Sequence, residues 1–401
     1  MAIASTPAAC SLAALGMVNA LGRGPDEIWP RLLAGDLSHI RVREDLVPGR
    51  ALPVAEVVGP LPDVPARLAR YACRNNALTL AALGQIEGDI RCAIDAVGPP
   101  RVGVVMGTST SGVSAAEAAL RERERTGELS ADFAYEQLEF GGAAAFVAEL
   151  LGVAGPAYTI STACSSGARA LATARSLLAL GVCDAVVAGA TDTLCGLTTN
   201  GFSALHVVSE EITNPCSRNR AGLTLGEGSV VFLATRDRGG VQLRGVGESS
   251  EAHHMSAPDP EGRGAERAMR GALADAGLGP GEIAYLNLHG TGTPLNDAME
   301  CAAIARVFGE SPPCSSTKPL VGHTLGAAGA MEVGFCWQVL QGRGESGLPL
   351  IPHVFDGSLD PALPPIRLVT KGMHARPGAV MSNSFGFGGN NCTLVLAEAP
   401  S

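Results

Sequence analysis

From residue 67 to 97 the chain reads RLARYACRNNALTLAALGQIEGDIRCAIDAV, with apolar positions recurring three and four apart. That spacing predicts one long helix, ended by Gly98 and two prolines. A short apolar run, RVGVVMG (101–107), predicts a strand; a Ser/Thr/Gly turn reaching Gly112 and the charged helical segment AAEAALRERERTGEL follow it. Next, the β-branched run YTIST leads to Cys164, after which Ala170, Leu171, Ala174, Leu177 and Leu178 share one helical face. A helix is therefore expected to begin directly after the cysteine. DAVVAGA (184–190) and GSVVFLA (228–234) are further short strands, separated by the turn-rich NPCSRNRAGLTLGEG. The second half repeats the alternation: GAERAMRGALADAG is helical, EIAYLNLHG is strand into loop, and DAMECAAIARVFG and GAAGAMEVGFCWQVLQ are helical. AVMSNSFGFGGNNCTLVLAE reads as strand, glycine-rich turn and strand. Short apolar strands alternating with helices predict an α/β protein, with a parallel or mixed sheet covered by helices. The glycine-rich, charged RDRGGVQLRG (236–245) is the best internal boundary.

Composition narrows the class without changing it. A chain of 401 residues with 46% hydrophobic positions is long enough for two domains, or for one body of two similar halves, and burial does not limit it. With 51 glycines and only 4% aromatics, tight turns and close-packed helices are expected in place of aromatic clusters. The net charge of -10 excludes a general attraction to nucleic acid or to anionic membranes. The N-terminal stretch lacks a basic leader, and no segment offers the ~18 uninterrupted apolar residues of a membrane span, so no membrane insertion and a cytoplasmic location are expected. The eleven cysteines are an odd number, and the closest two, Cys183 and Cys195, are twelve positions apart. That spacing points to neither a metal pair nor a disulfide frame.

Four stretches carry candidate chemistry. Cys164 precedes a predicted helix, where free N–H groups and the positive end of the dipole would lower a thiol's pKa and stabilise an oxyanion. A small residue that allows close packing is the alternative. His289 lies in NLHGTGTPLND, and His323 lies in STKPLVGHTLGAAGA, five positions after Lys318. Both are predicted on loops carried by rigid elements. In NSFGFGGNN (383–391), Gly386, Gly388 and Gly389 permit a close backbone approach to a ligand. A tight hairpin is the plainer reading of that stretch.

Together, STACSSGARAL, HGTGTPLNDAME, STKPLVGHTLGAAGAMEV and NSFGFGGNN resemble, in order and spacing, the four successive motifs of the decarboxylating β-ketoacyl-[acyl carrier protein] synthases. These are the elongating condensing enzymes of fatty-acid and polyketide assembly. The resemblance extends over essentially the whole chain. It implies a thiolase-like fold of five layers, αβαβα, built from two halves related by a pseudo-two-fold. Residues 1–238 would carry the nucleophilic cysteine and residues 239–401 both catalytic histidines.

By the same resemblance, Cys164 would accept an acyl chain from the phosphopantetheine of an acyl carrier protein. His289 and His323 would stabilise the enolate left when malonyl-carrier protein loses its carboxylate. Lys318, with Asp297 and Glu300, would form a buried lysine–carboxylate network that orients His323. The backbone N–H groups of Cys164 and Phe387 would form a second oxyanion hole. Phe387 would also act as a gating aromatic, flanked by Phe385 and Gly388. No metal or redox cofactor is implied.

For carrier-protein docking, Arg67, Arg70 and Arg74 fall at i, i+3 and i+7 of the predicted helix and would make one basic stripe. The expected assembly is a homodimer, or a heterodimer with a chain-length-factor-like paralogue in which this chain is the active type. A silent chain-length partner is disfavoured because Cys164 is kept. A degradative thiolase and a coenzyme A-primed synthase are disfavoured by the two histidines with their preceding lysine. Departures from the family pattern include Ser217 and Ala221, where acidic residues are common, Ser109 and Ser111 in a usually glycine-rich turn, and a faint N-terminal strand in IASTPAACSLAALG. They suggest a divergent branch similar to the synthases of aryl-polyene pigment assembly.

Overall fold

The computed structural model describes residues 10–237 and 239–399. Five strands come from the first half: β1 (Ser11–Asn19), β2 (Val102–Gly107), β3 (Ala157–Ile160), β4 (Ala185–Asp192) and β5 (Gly228–Thr235). Five come from the second: β6 (Val241–Ser250), β7 (Ile283–Asn287), β8 (Cys314–Ser315), β9 (Ala379–Gly386) and β10 (Asn390–Glu398). The first set runs β3-β2-β4-β5-β1 and the second β8-β7-β9-β10-β6. In each set the first two pairings are parallel and the last two antiparallel, so one order describes both. β1 and β6 meet antiparallel at Ser11 and Gln242, which joins the sets into one 11-stranded sheet, with Gly22–Arg23 as the remaining strand on β1. The faint N-terminal strand is thus real from Ser11 onward; the expected stretch before Cys10 lies outside the described residues.

The helices that position the site are α1 (Arg74–Leu83), α2 (Phe140–Leu151), α3 (Ser166–Ala179), α4 (Gly196–Ala204), α5 (Arg263–Ala276), α6 (Pro294–Phe308) and α7 (Ala328–Gln341). Side chains alternate across a strand, and the cores follow that period. Val104 and Val187 face Leu78 of α1 and Phe146 of α2 in one outer core. Val105 and Val186 face the opposite way, into a central core with Leu171 of α3, Phe335 of α7, and Val380 and Leu394 of the second set. Leu286, Met381 and Val395 face outward again, against Met269 of α5 and Ile304 of α6. The layers are therefore helix, sheet, helix, sheet, helix, and α3 and α7 form the middle one. These two helices touch reciprocally. A Cβ on Gly167 would lie 2.8 Å from Ala330, and one on Gly329 would lie 2.9 Å from Ala168. Only glycine allows that approach.

The predicted single helix over 67–97 is instead three pieces: a 3-10 turn at Ala66–Tyr71, α1, and a further helix at Glu87–Val97. Leu68 leaves helical geometry (φ -116, ψ 19) and Cys73 is extended (φ -151, ψ 164). The breaks let Leu68, Tyr71, Leu78, Ile86 and Ile90 all reach the same outer core, which one straight helix would not allow. Tertiary burial outweighs the local period here. Among the described residues, no helix is long and apolar enough to cross a membrane.

Candidate active site

Cys164 lies between β3 and α3, on a turn that is tightly closed. Ser165 Oγ donates to the Thr162 carbonyl at 2.8 Å, and the Ser166 hydroxyl accepts from Thr162 N–H at 2.9 Å. Ala163 adopts φ 52, unusual for a residue with a Cβ, and turns the next residue out of the strand direction. Cys164 is buried, and the backbone N–H groups of Phe387 and of Cys164 itself favour its thiolate.

The second half delivers the histidines. His289 follows β7; its N–H donates to Glu300 Oε1 and that of Gly290 to Glu300 Oε2, both at 2.8 Å. His323 is clamped by its own backbone, donating to the Thr224 carbonyl at 2.7 Å and accepting from Gly226 N–H at 3.0 Å. Its Nε2 lies 3.0 Å from Cys164 Sγ. The two imidazoles meet edge to face at 5.5 Å, and Phe385 packs against His289 at 5.9 Å. One sulfur and one nitrogen from each ring all lie within 4.8 Å of one another.

Burial dominates the electrostatics. Both histidines titrate well below their usual range, first because burial disfavours the imidazolium and then because the Lys318 charge repels it. They are neutral rings with a proton to donate. Burial also pushes the Cys164 thiol up to about 11, against the opposing pull of Lys318 and the two N–H groups. This corrects the expectation of a thiol acidified by the helix terminus: in a closed site, burial outweighs the nearby lysine and N–H groups. The resting pair is thiol and neutral imidazole.

The predicted lysine–carboxylate network is also rearranged. Lys318 is buried and pairs with Glu332 on α7, not with Asp297 or Glu300. Glu300 accepts from the backbone at His289 and Gly290 and from Asn383, so it shapes the histidine turn. Asp297 accepts from Cys216 N–H at 2.9 Å and Gly292 N–H at 3.2 Å, tying the 214–228 loop to that turn. In this loop Ser217 bonds Asp356 and Arg220 bonds Asp360, so two acids from a distant segment hold it in place. Glu332 escaped the sequence reading, although a charged residue inside the apolar GAAGAMEVGF was the available signal.

Two cavities meet at the cysteine. One, of about 290 Å³, is lined by Cys164, both histidines, Phe385, Thr291 and Thr293. The other, of about 250 Å³, is lined by Cys164, Ser109, Ser161, Thr198, Phe202 and Leu325. Phe387 borders both and packs on Phe202 of α4 at 5.6 Å. Gly388 (φ 76) and Gly389 (φ 72), which follow it, hold left-handed conformations.

The arginine stripe does not form. Arg67 donates to the carbonyls of Glu149 and Leu150, both at 3.2 Å, and Arg70 pairs with the Glu149 carboxylate. Arg74, on a different helical piece, pairs with the buried Glu227. The break at Cys73 separates Arg74 from the other two, and Arg70 and Arg74 already hold a carboxylate.

Residues 11–238 match the N-terminal domain of β-ketoacyl synthases, and residues 241–344 match their C-terminal domain. The chain belongs to the β-ketoacyl synthase family. The synthase is 31% identical to 3-oxoacyl-[acyl-carrier-protein] synthase 2 of Coxiella burnetii, over 96% of this chain and 97% of that one. It is 30% identical to the mitochondrial 3-oxoacyl-[acyl-carrier-protein] synthase of Arabidopsis thaliana, over 96% and 92%. Among solved structures, a ketosynthase (ApeO) in complex with its chain length factor (ApeC) from Xenorhabdus doucetiae is 43% identical, with a TM-score of 0.93 over 100% of both chains. A β-ketoacyl synthase from Burkholderia phymatum is 29% identical, with a TM-score of 0.85 over 98% and 100%. The synthase is thus a condensing enzyme of the acyltransferase type, with the thiolase-like fold.

Proposed function

We propose that this synthase extends an acyl chain held on Cys164 by two carbons from malonyl-carrier protein, working as the active subunit beside a chain-length-factor-like paralogue. The observation that carries the reading is the convergence of one thiol and two neutral imidazoles at the junction of two cavities. Residues 1–238 supply the nucleophile and residues 239–401 the histidines.

In the first step the Cys164 sulfur attacks the thioester of an acyl-phosphopantetheine arm. The thiol proton passes to His323 Nε2, 3.0 Å away, and from there to the departing pantetheine sulfur. The N–H groups of Cys164 and Phe387 hold the oxyanion of the tetrahedral intermediate. Once the sulfur is acylated, Nε2 has no thiol proton to accept, and the Nε2–H tautomer serves. In the second step the malonyl thioester oxygen lies between His289 and His323. The bond to the carboxylate breaks, CO₂ leaves, and the electron pair remains as an enolate held by two N–H donors. Neutral rings suit this task, since an imidazolium would protonate the carbanion. The enolate carbon then attacks the Cys164 thioester, and the sulfur departs as thiolate and takes a proton from solvent. The product is a 3-oxoacyl chain on the carrier.

These steps call for no metal or redox group; the phosphopantetheine belongs to the substrate. Thr291 and Thr293 on the larger cavity offer hydroxyls to such an arm. Arg67 and Arg70 remain on the surface as a small docking patch for an acidic carrier, sharing it with Glu149. Pairing with a paralogue is supported by the 43% identity to a ketosynthase solved with its chain length factor. It is supported also by the open sheet edge at β3, which leaves Tyr158 38% exposed. The motif departures at Ser109, Ser111, Ser217 and Ala221 favour polyene or polyketide chains over housekeeping fatty acids. The buried free thiols suit a reducing cytoplasm.

The test is product formation from acyl- and malonyl-carrier protein, by mass spectrometry, with and without the paralogue. Cys164→Ala is expected to abolish the 3-oxoacyl product; product that persists would defeat the assignment.

A further inference from the structure

Asp192, at the end of β4, is a buried carboxylate that, among the described residues, forms no ion pair and has five hydrogen-bond donors around it. Thr108 Oγ1 approaches at 2.6 Å, Ser109 N–H at 2.8 Å, Thr110 N–H at 2.8 Å and Thr110 Oγ1 at 2.8 Å. The fifth is the N–H of Gly326, at 2.6 Å from Oδ2. The hydroxyl protons have no alternative direction. Thr108 Oγ1 already accepts from Ser111 N–H at 2.8 Å, and Thr110 Oγ1 accepts from Thr193 N–H at 3.1 Å, so both must give their protons to Asp192. Every partner is a donor, and only an acceptor-only group completes the set.

Three segments meet at this carboxylate, and two of them wall the cavity beside Cys164. Ser109 belongs to the turn after β2, where this chain departs from a glycine-rich pattern, and lines the smaller cavity. Leu325 lines the same cavity from the opposite segment and is held at φ 52, a conformation a branched side chain avoids. Its neighbour Gly326 is pressed so closely that a Cβ there would lie 2.6 Å from Ser109 Oγ and 2.8 Å from Asp192 Oδ2. His323, by contrast, is held by Thr224 and Gly226 and does not depend on Asp192.

We propose that Asp192 is a positioning residue for acyl transfer: it draws Ser109 and Leu325 together and so fixes the cavity in which the acyl chain on Cys164 lies. This rests on the ketosynthase reading above. The two half-reactions separate the role from simple support of the fold, because acylation uses the walled cavity and malonyl decarboxylation uses the histidine pair.

In Asp192→Asn, an amide nitrogen facing Gly326 or Thr110 opposes donor to donor. Wall displacements of ~1 Å can change rates by up to ~100-fold, so acylation of Cys164 is expected to fall about tenfold or more relative to decarboxylation, and primer-length preference to flatten. Thr110→Val, which removes one hydroxyl donor, is expected to move the same ratio in the same direction by less. Acylation would be followed by intact-protein mass spectrometry, and decarboxylation by CO₂ release from malonyl-carrier protein on enzyme acylated to completion beforehand, on preparations matched by circular dichroism. If Asp192→Asn does not fold, Thr110→Val decides. An unchanged ratio, or equal falls in both half-reactions of a folded variant, overturns the proposal. A wild-type protein that performs neither half-reaction would instead remove the ketosynthase reading.

Discussion

The buried Lys318–Glu332 pair provides the sharpest test of how the site is charged. Replacing only Glu332 by Gln leaves an ammonium without its counter-ion in a closed interior, which costs about 3–5 kcal/mol. With ~2.1 cal/mol/K of unfolding entropy per residue, 401 residues give about 0.8 kcal/mol/K, so the melting temperature should fall by about 4–6 °C. Removing both charges, as Lys318→Met with Glu332→Leu, replaces the pair by apolar groups of similar size and should restore stability to within ~1 kcal/mol of wild type or better. Activity should not return with it. Lys318 opposes the rise of the Cys164 pKa more strongly than Glu332 adds to it, so removing both charges still raises that pKa, and each ~1.4 kcal/mol of lost thiolate stabilisation lowers the thiolate population about tenfold. The measurements are thermal unfolding at fixed protein concentration and stopped-flow acylation of Cys164 by an acyl-carrier protein. A double variant that regains both stability and acylation would show that Lys318 acts only through packing, and the electrostatic argument would fail.

Three further outcomes are expected. Stability should decline as pH falls below about 6.5: His353 is buried and held down to about 4, so the unfolded chain takes up a proton there that the native chain refuses, costing about 1.4 kcal/mol per pH unit. His289 and His323 act with the same sign, and stability measured between pH 7 and 5 that stayed flat would contradict all three. Phe202→Leu removes a ring contact on Phe387 worth about 0.5–1.5 kcal/mol and should loosen the barrier between the cavities, seen as faster hydrolysis of the acyl-enzyme; hydrolysis at the wild-type rate would argue that Phe387 is held by its backbone alone. Treatment with a strong chelator should leave condensation unchanged, and a loss restored by added zinc would mean that the Cys164, His289 and His323 donor set works as a metal site.

Much of this architecture was legible because its strands are covered on both faces. Runs such as VGVVMG and VVFLA are apolar throughout and admit few other readings. The segments bearing Cys164, His289 and His323 stood out for the same kind of reason, since each places a reactive side chain among small residues and glycines that rigid elements carry. What escaped depends on distance through space. Glu332 is paired with a lysine fourteen positions away across a turn and a helix start, and no periodicity connects them. The arginine stripe failed because packing of Tyr71 and Leu78 into one core broke the helix on which the stripe depended. The sign of the cysteine shift was misjudged because enclosure comes from segments more than a hundred residues downstream, whereas the helix terminus is local.

The reciprocal contact of Gly167 with Ala330 and of Gly329 with Ala168 fixes how far apart the two middle helices lie. Cys164 enters at the start of one of these helices and His323 just ahead of the other. The gap between nucleophile and base is therefore gauged by backbone and alanine methyl groups in close contact, with the Ser384 hydroxyl packed beside Gly329. Such a spacer tolerates wide change in the surrounding cavity walls, so descendants of this scaffold can exchange one acyl chain for another while the reacting atoms keep their places.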